Sequence, residues 1–96
     1  MTTKPTNLAQ LRRFLQPGVQ LRLVESLLGP TDRPRTVNTS TAHQVTFLTE
    51  LGRISYLPWP AARLVEFQPD GFRVFEEGNA PGDAPILCAA YKYVEG

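Results

Sequence analysis

The chain has little of what most small functional domains are built from. In 96 residues there is one cysteine (Cys88), one histidine (His43) and one tryptophan (Trp59). A single thiol cannot close an intramolecular disulfide, so a disulfide-stapled scaffold is excluded. One histidine with one cysteine does not make a zinc site, and no metal ligand set is expected. No window approaches about 18 apolar residues, so no membrane-crossing helix is expected. The opening, MTTKPTNLAQLRRFL, has no apolar run of signal-peptide length, and the expected location is cytoplasmic. Charge of one sign is also missing. Ten Lys and Arg face nine Asp and Glu, a formal charge of +1, so no overall field pulls the protein onto nucleic acid or an anionic membrane. No membrane partner is expected.

What is plentiful is punctuation. Nine prolines and seven glycines imply many short elements, which favours a β-rich fold over a helical bundle. The length suits one domain, 1–96. Residues 1–6 are expected to be disordered. Asn7 is a good helix N-cap, Gln10 sits where a capping box places Glu or Gln, and Leu8, Leu11, Phe14 and Leu15 share one face. A helix is therefore predicted over 7–16, stopped by Pro17-Gly18.

From residue 19 to 94 the pattern is that of short strands. Val19, Leu21 and Leu23 alternate with Gln20 and Arg22, predicting a strand over 19–26. GPTDRP (29–34), with two prolines, reads as a loop. The Thr- and Val-rich stretch that follows reads as strands over 35–41 and 44–50. RISYL predicts a strand over 53–57, with Ile54 and Tyr56 as its apolar side. Pro58 and Pro60 then interrupt the pattern, and Pro60 suits the start of a helical turn at 60–63. Val65 and Phe67, then Phe72 and Val74, flank Pro69-Asp70-Gly71 as a β-hairpin. GNAPGDAP (78–85) is a loop, and ILCAAYKYV (86–94) a last, apolar strand. The expected fold is mainly β (α+β): a short N-terminal helix followed by a small SH3-like barrel or rolled antiparallel sheet of six to seven strands.

Three phrases, LRRFLQPGVQLRLV (11–24), RTV (35–37) and GRISYLPWPAA (52–62), carry a resemblance. They resemble small uncharacterised proteins of phages and other mobile elements, in which a Ser-x-Leu-x-Trp-Pro phrase sits mid-chain. Here that phrase is Ser55 to Pro60. The resemblance implies no activity and no catalytic residues. It implies an accessory protein that works by binding a macromolecule.

Catalysis needs positioned groups. Any Ser-His-Asp or Cys-His arrangement would have to use His43, which reads as a turn residue beside Ser40 and Thr41. Cys88 lies in an apolar strand, where an inert buried thiol is expected. Glu76 and Glu77 end a hairpin strand, and Asp70 is explained by its turn. GNAPG lacks the lysine and the strand-to-helix context of a phosphate loop. The protein is therefore read as a non-enzyme without a cofactor.

Binding is the remaining class, and a protein partner ranks first. Tyr, Trp and Arg dominate interface energetics, and Tyr56 with Trp59 would form an aromatic groove near the helical turn. The competing reading makes Trp59 a core bolt, covering the helical turn with Leu57 and Leu64. A second class is nucleic acid, with Arg33, Arg35, Arg53 and Arg63 beside stacking aromatics that include Tyr91 and Tyr93. A third is a structural homo-oligomer assembled through strand 86–94.

Overall fold

A computed structural model describes residues 4–94. One short helix, α1 (Leu8–Phe14), precedes seven strands: β1 (Gln20–Ser26), β2 (Gly29–Ser40), β3 (Gln44–Thr49), β4 (Ile54–Pro58), β5 (Val65–Gln68), β6 (Gly71–Glu76) and β7 (Ile86–Tyr93). A single 3₁₀ turn (Ala62–Leu64) links β4 to β5. All strands join one antiparallel sheet in the order β4-β3-β2-β1-β7-β6-β5. The order is linear and the sheet curls into a half-barrel, so of the two forms expected the rolled sheet is the one found.

The helix forms because its caps work. The Asn7 side chain accepts from the Gln10 N–H at 2.9 Å, while Gln10 Oε1 accepts from the Thr6 backbone N–H and hydroxyl. At the other end, Gln16 Nε2 donates to the Arg13 carbonyl at 3.0 Å and, more weakly, to that of Arg12. The helix ends two residues short of the predicted 16. Seven residues cannot hold a helix in water alone. Docking supplies the rest, since Leu11 and Leu15 are fully buried against Leu21, Val37, Val45, Phe47 and Phe72. The helix thus fills the hollow of the sheet. The predicted disorder of residues 1–6 holds no longer for 4–6, where Pro5 is buried and Thr6 bonds Gln10. Residues 1–3 lie outside the described residues, as do 95 and 96.

Two expectations are corrected in β2. The predicted loop over 29–34 is strand, and it is continuous with the strand predicted from 35. Pro30 and Pro34 are tolerated because β2 borders only β1 there; pairing with β3 begins at Arg35↔Thr49. The first half of β2 consequently runs past β3, while β1 stays paired with β7 as far as Ser26↔Ala89. The β1–β2 loop, Leu27-Leu28, closes on the Ser26↔Gly29 pair; both leucines keep negative φ, and Gly29 after them takes the positive φ (110°) that follows a type I turn. The helical turn is also displaced, to 62–64, because Ala61 stays extended.

The last strand is central. β7 pairs with β1 on one side and β6 on the other, which accounts for its apolar character on both faces. Tyr91 stacks on Phe72 (5.0 Å between centroids) and approaches Phe47, and Tyr93 meets the Phe14 ring edge-on. No helix among the described residues is long and apolar enough to cross a membrane.

Candidate binding surface

The register decides which residues are available outside. Val45 pairs with Leu57 and Phe47 with Ser55, which places these four on the side that packs on α1. Thr46↔Tyr56 and Leu48↔Ile54 fall on the opposite, outer side. Ile54 and Tyr56, the apolar side read from the sequence, are therefore turned away from the core. The reason lies in volume and partners: Phe47 and Leu57 already fill the inner side of this hairpin, and small Ser55 leaves room for the Phe47 ring. Tyr56 is 64% exposed, with Leu48 and Ile54 exposed beside it.

The outer side is divided by charge. Toward β5 it carries ion pairs, Arg73 with Glu66 (3.1 Å) and Lys92 with Asp70 (3.5 Å). Toward β4 it carries Leu48, Ile54, Tyr56 and a threonine cluster. Thr39 and Thr46 share a 2.6 Å hydroxyl–hydroxyl bond, and the Thr39 N–H also donates to Thr46 Oγ1. Residues 36–42, 44–49 and 54–62 contain no ionisable side chain apart from Tyr56. β4 is also the last strand of the sheet, so its far backbone edge is unpaired among the described residues. The opposite edge strand, β5, is four residues long and carries Glu66, the usual means of blunting an edge. β4 has only Pro58 at its end.

The predicted site residues do not come together. Trp59 is half-buried at the margin of the core, its Nε1 donating to the Thr41 carbonyl at 2.8 Å. The Arg12 guanidinium lies over its ring, 5.7 Å from the centroid. The Tyr56–Trp59 groove is therefore not formed, because Tyr56 is on the outer side and Trp59 packs inward. Tyr91 and Tyr93, expected among contact residues, are 7% and 9% exposed and belong to the core. Burial pushes the phenols of both up to about 12. Arg33 is paired with Glu50 (2.6 Å), and Arg63 with Glu77, which raises the Arg63 pKa and lowers that of Glu77. Arg35 is half-buried and donates to the Pro34 carbonyl, and Arg53 lies at the entry to β4, apart from both. Arg22, read as a solvated strand residue, pairs with Asp32.

The residues with catalytic potential are equally dispersed. His43 is exposed in the β2–β3 turn, with its N–H on Thr41 Oγ1 and its carbonyl accepting from the Trp59 N–H. Cys88 is half-buried, and burial together with nearby Glu76 pushes its thiol up, away from the reactive thiolate. Glu77 and Asp70 are taken by Arg63 and Lys92. Among the described residues no group of His, Cys, Asp and Glu gathers as a metal site.

Sequence reasoning passed over Leu48 and the hairpin tip. Leu27 and Leu28 are 64% and 100% exposed. The signal for the tip was present, because Gly29 and Pro30 directly after two leucines mark a turn. No family model, curated protein or solved structure matches the chain.

Proposed function

We propose that this protein is a small, non-catalytic binding module that takes an extended segment of a protein partner along β4. The observation that supports this reading is the uncharged outer quarter of the sheet, where Leu48, Ile54 and Tyr56 are exposed beside an unpaired strand edge. Strand addition uses such an edge for main-chain hydrogen bonds, and alternate side chains give selectivity. Tyr56 supplies the aromatic anchor that interface hot spots favour. The nucleic-acid reading is weaker on the same grounds. Arg33 and Arg63 are neutralised by carboxylates, and Tyr91 and Tyr93 are buried. The resemblance to accessory proteins of phages is compatible with a binding role and supplies no partner.

The test is a selection of displayed peptides against the native protein, followed by affinity measurement with variants. Ile54→Asp and Tyr56→Asp should each weaken the selected peptides at least tenfold while leaving the melting temperature within a few degrees, since both side chains are exposed. Arg33→Gln and Arg63→Gln should leave affinity unchanged. The reverse pattern, or tight binding of a DNA oligonucleotide that falls steeply with salt, would overturn the reading.

A further inference from the structure

The β-bulge in β2 has a consequence on the inner side of the sheet. Val37 pairs with Phe47 and Thr39 with Thr46, so Asn38 is the extra residue, and Ser40, opposite Val45, returns to the side where α1 lies. Between α1 and the β2–β3 turn this leaves an open cleft of about 290 Å³. Arg12, Arg13 and Gln16 line it from the helix, and Ser40, Thr41 and Ala42 from the sheet. No carboxylate lines it among the described residues. Arg22, Arg33, Arg63, Arg73 and Lys92 each hold an acidic partner elsewhere, whereas Arg12 and Arg13 have none among the described residues.

Arg12 is held in place. Its Nη2 donates to the Ala42 carbonyl at 3.3 Å, and its guanidinium is seated on Trp59, whose own Nε1 is fixed to Thr41. A donor positioned in advance loses less freedom when a ligand arrives. The Arg13 guanidinium and the Ser40 hydroxyl make no hydrogen bond among the described residues, so both are available. The carbonyls at the helix C-terminus, which would repel an anion, are covered by the Gln16 amide. Two arginines and a serine line one cleft with no carboxylate among its described lining residues, a donor set whose chemistry suits the oxygens of a doubly charged phosphate. The exposed Trp59 face is already occupied by Arg12, which leaves no platform there for a stacked base.

We propose that this cleft binds the phosphate group of a small phosphomonoester. The reading stands apart from the strand-addition surface, which lies on the outer side of the sheet. It is tested by titrating the intact protein with inorganic phosphate and with glycerol phosphate, following Trp59 fluorescence and binding heat, against potassium chloride at matched ionic strength. The expected result is saturable binding of both, absent with chloride and tighter above pH 7, where the dianion dominates. Tighter binding of glycerol phosphate would place the ester group in the cleft; equal binding would identify free phosphate as a sufficient ligand. Arg13→Gln, whose side chain supports nothing else, should weaken binding at least tenfold with the melting temperature unchanged, and Arg12→Gln should weaken binding by at least as much. No saturable binding, or binding indifferent to Arg13→Gln, would overturn the proposal. So would an oligonucleotide that binds there while both small phosphates stay silent.

Discussion

Tyr93 is buried against Phe14 and Phe72, and its hydroxyl has no hydrogen-bond partner among the described residues. A buried polar group without a partner costs stability, so its removal is expected to help. Tyr93→Phe should leave the protein as stable as the parent or more stable by up to about 1 kcal/mol in urea unfolding; a loss of that size would mean that the hydroxyl is bonded after all. The same burial sets a pH limit. Tyr91 and Tyr93 ionise near 12 when folded, against about 10 in an unfolded chain. Below pH 10 both are protonated in either state and the fold keeps its full stability. Between 10 and 12 the unfolded chain releases protons that the folded one retains, so stability falls as pH rises. Phenolate absorbance should show these two tyrosines ionising together with alkaline unfolding. Ionisation of all three tyrosines near pH 10 with the fold intact would contradict their burial.

At the scale of elements, the hairpin tip and the strand faces show what the sequence carried and what it did not. Leu28 touches nothing that burial could reward, so Leu28→Ser should change stability by no more than about 0.5 kcal/mol and lessen self-association at high concentration. A loss near 2 kcal/mol, the mark of a buried leucine, would show that the tip packs in solution. The hairpin at Pro69-Asp70-Gly71 was legible because its turn chemistry is local and its flanking alternation is clean. So was the capped helix, whose apolar face is spaced for one side. The continuity of β2 was not, because tolerance of Pro30 and Pro34 depends on which strand lies alongside, and that is a property of the assembled sheet. Which side of β4 faces outward was undecided for a related reason. Apolar residues fall on both sides of β4, and only pairing with β3 reveals that Leu57 is the inner one. Trp59 sits half-buried at the margin of the core, held by Thr41 and Arg12.

For the whole molecule, a curled sheet filled by one short helix leaves two surfaces with distinct chemistry. The inner rim is basic at Arg12 and Arg13, and the outer quarter at β3 and β4 is apolar and uncharged. The basic candidates read from the sequence scattered because strand order separates them: Arg33 and Arg35 lie on β2, Arg53 at the entry to β4 and Arg63 in the 3₁₀ turn. A near-neutral total charge hid the Arg12–Arg13 cleft, since its lack of acids is local. The helix is the keystone of this arrangement. Leu11→Ala, which empties the middle of the hollow, should cost about 2–5 kcal/mol and disturb the cleft with it; a cost below 1 kcal/mol would mean that the sheet holds its curl without the helix. Amide hydrogen exchange with a selected peptide bound reads whether the free edge of β4 is where the partner strand adds. Added protection is expected at the outward amides of residues 54–57, with little change at β5. Protection confined to the β1–β2 tip or to β5, with β4 exchanging as in the free protein, would contradict it.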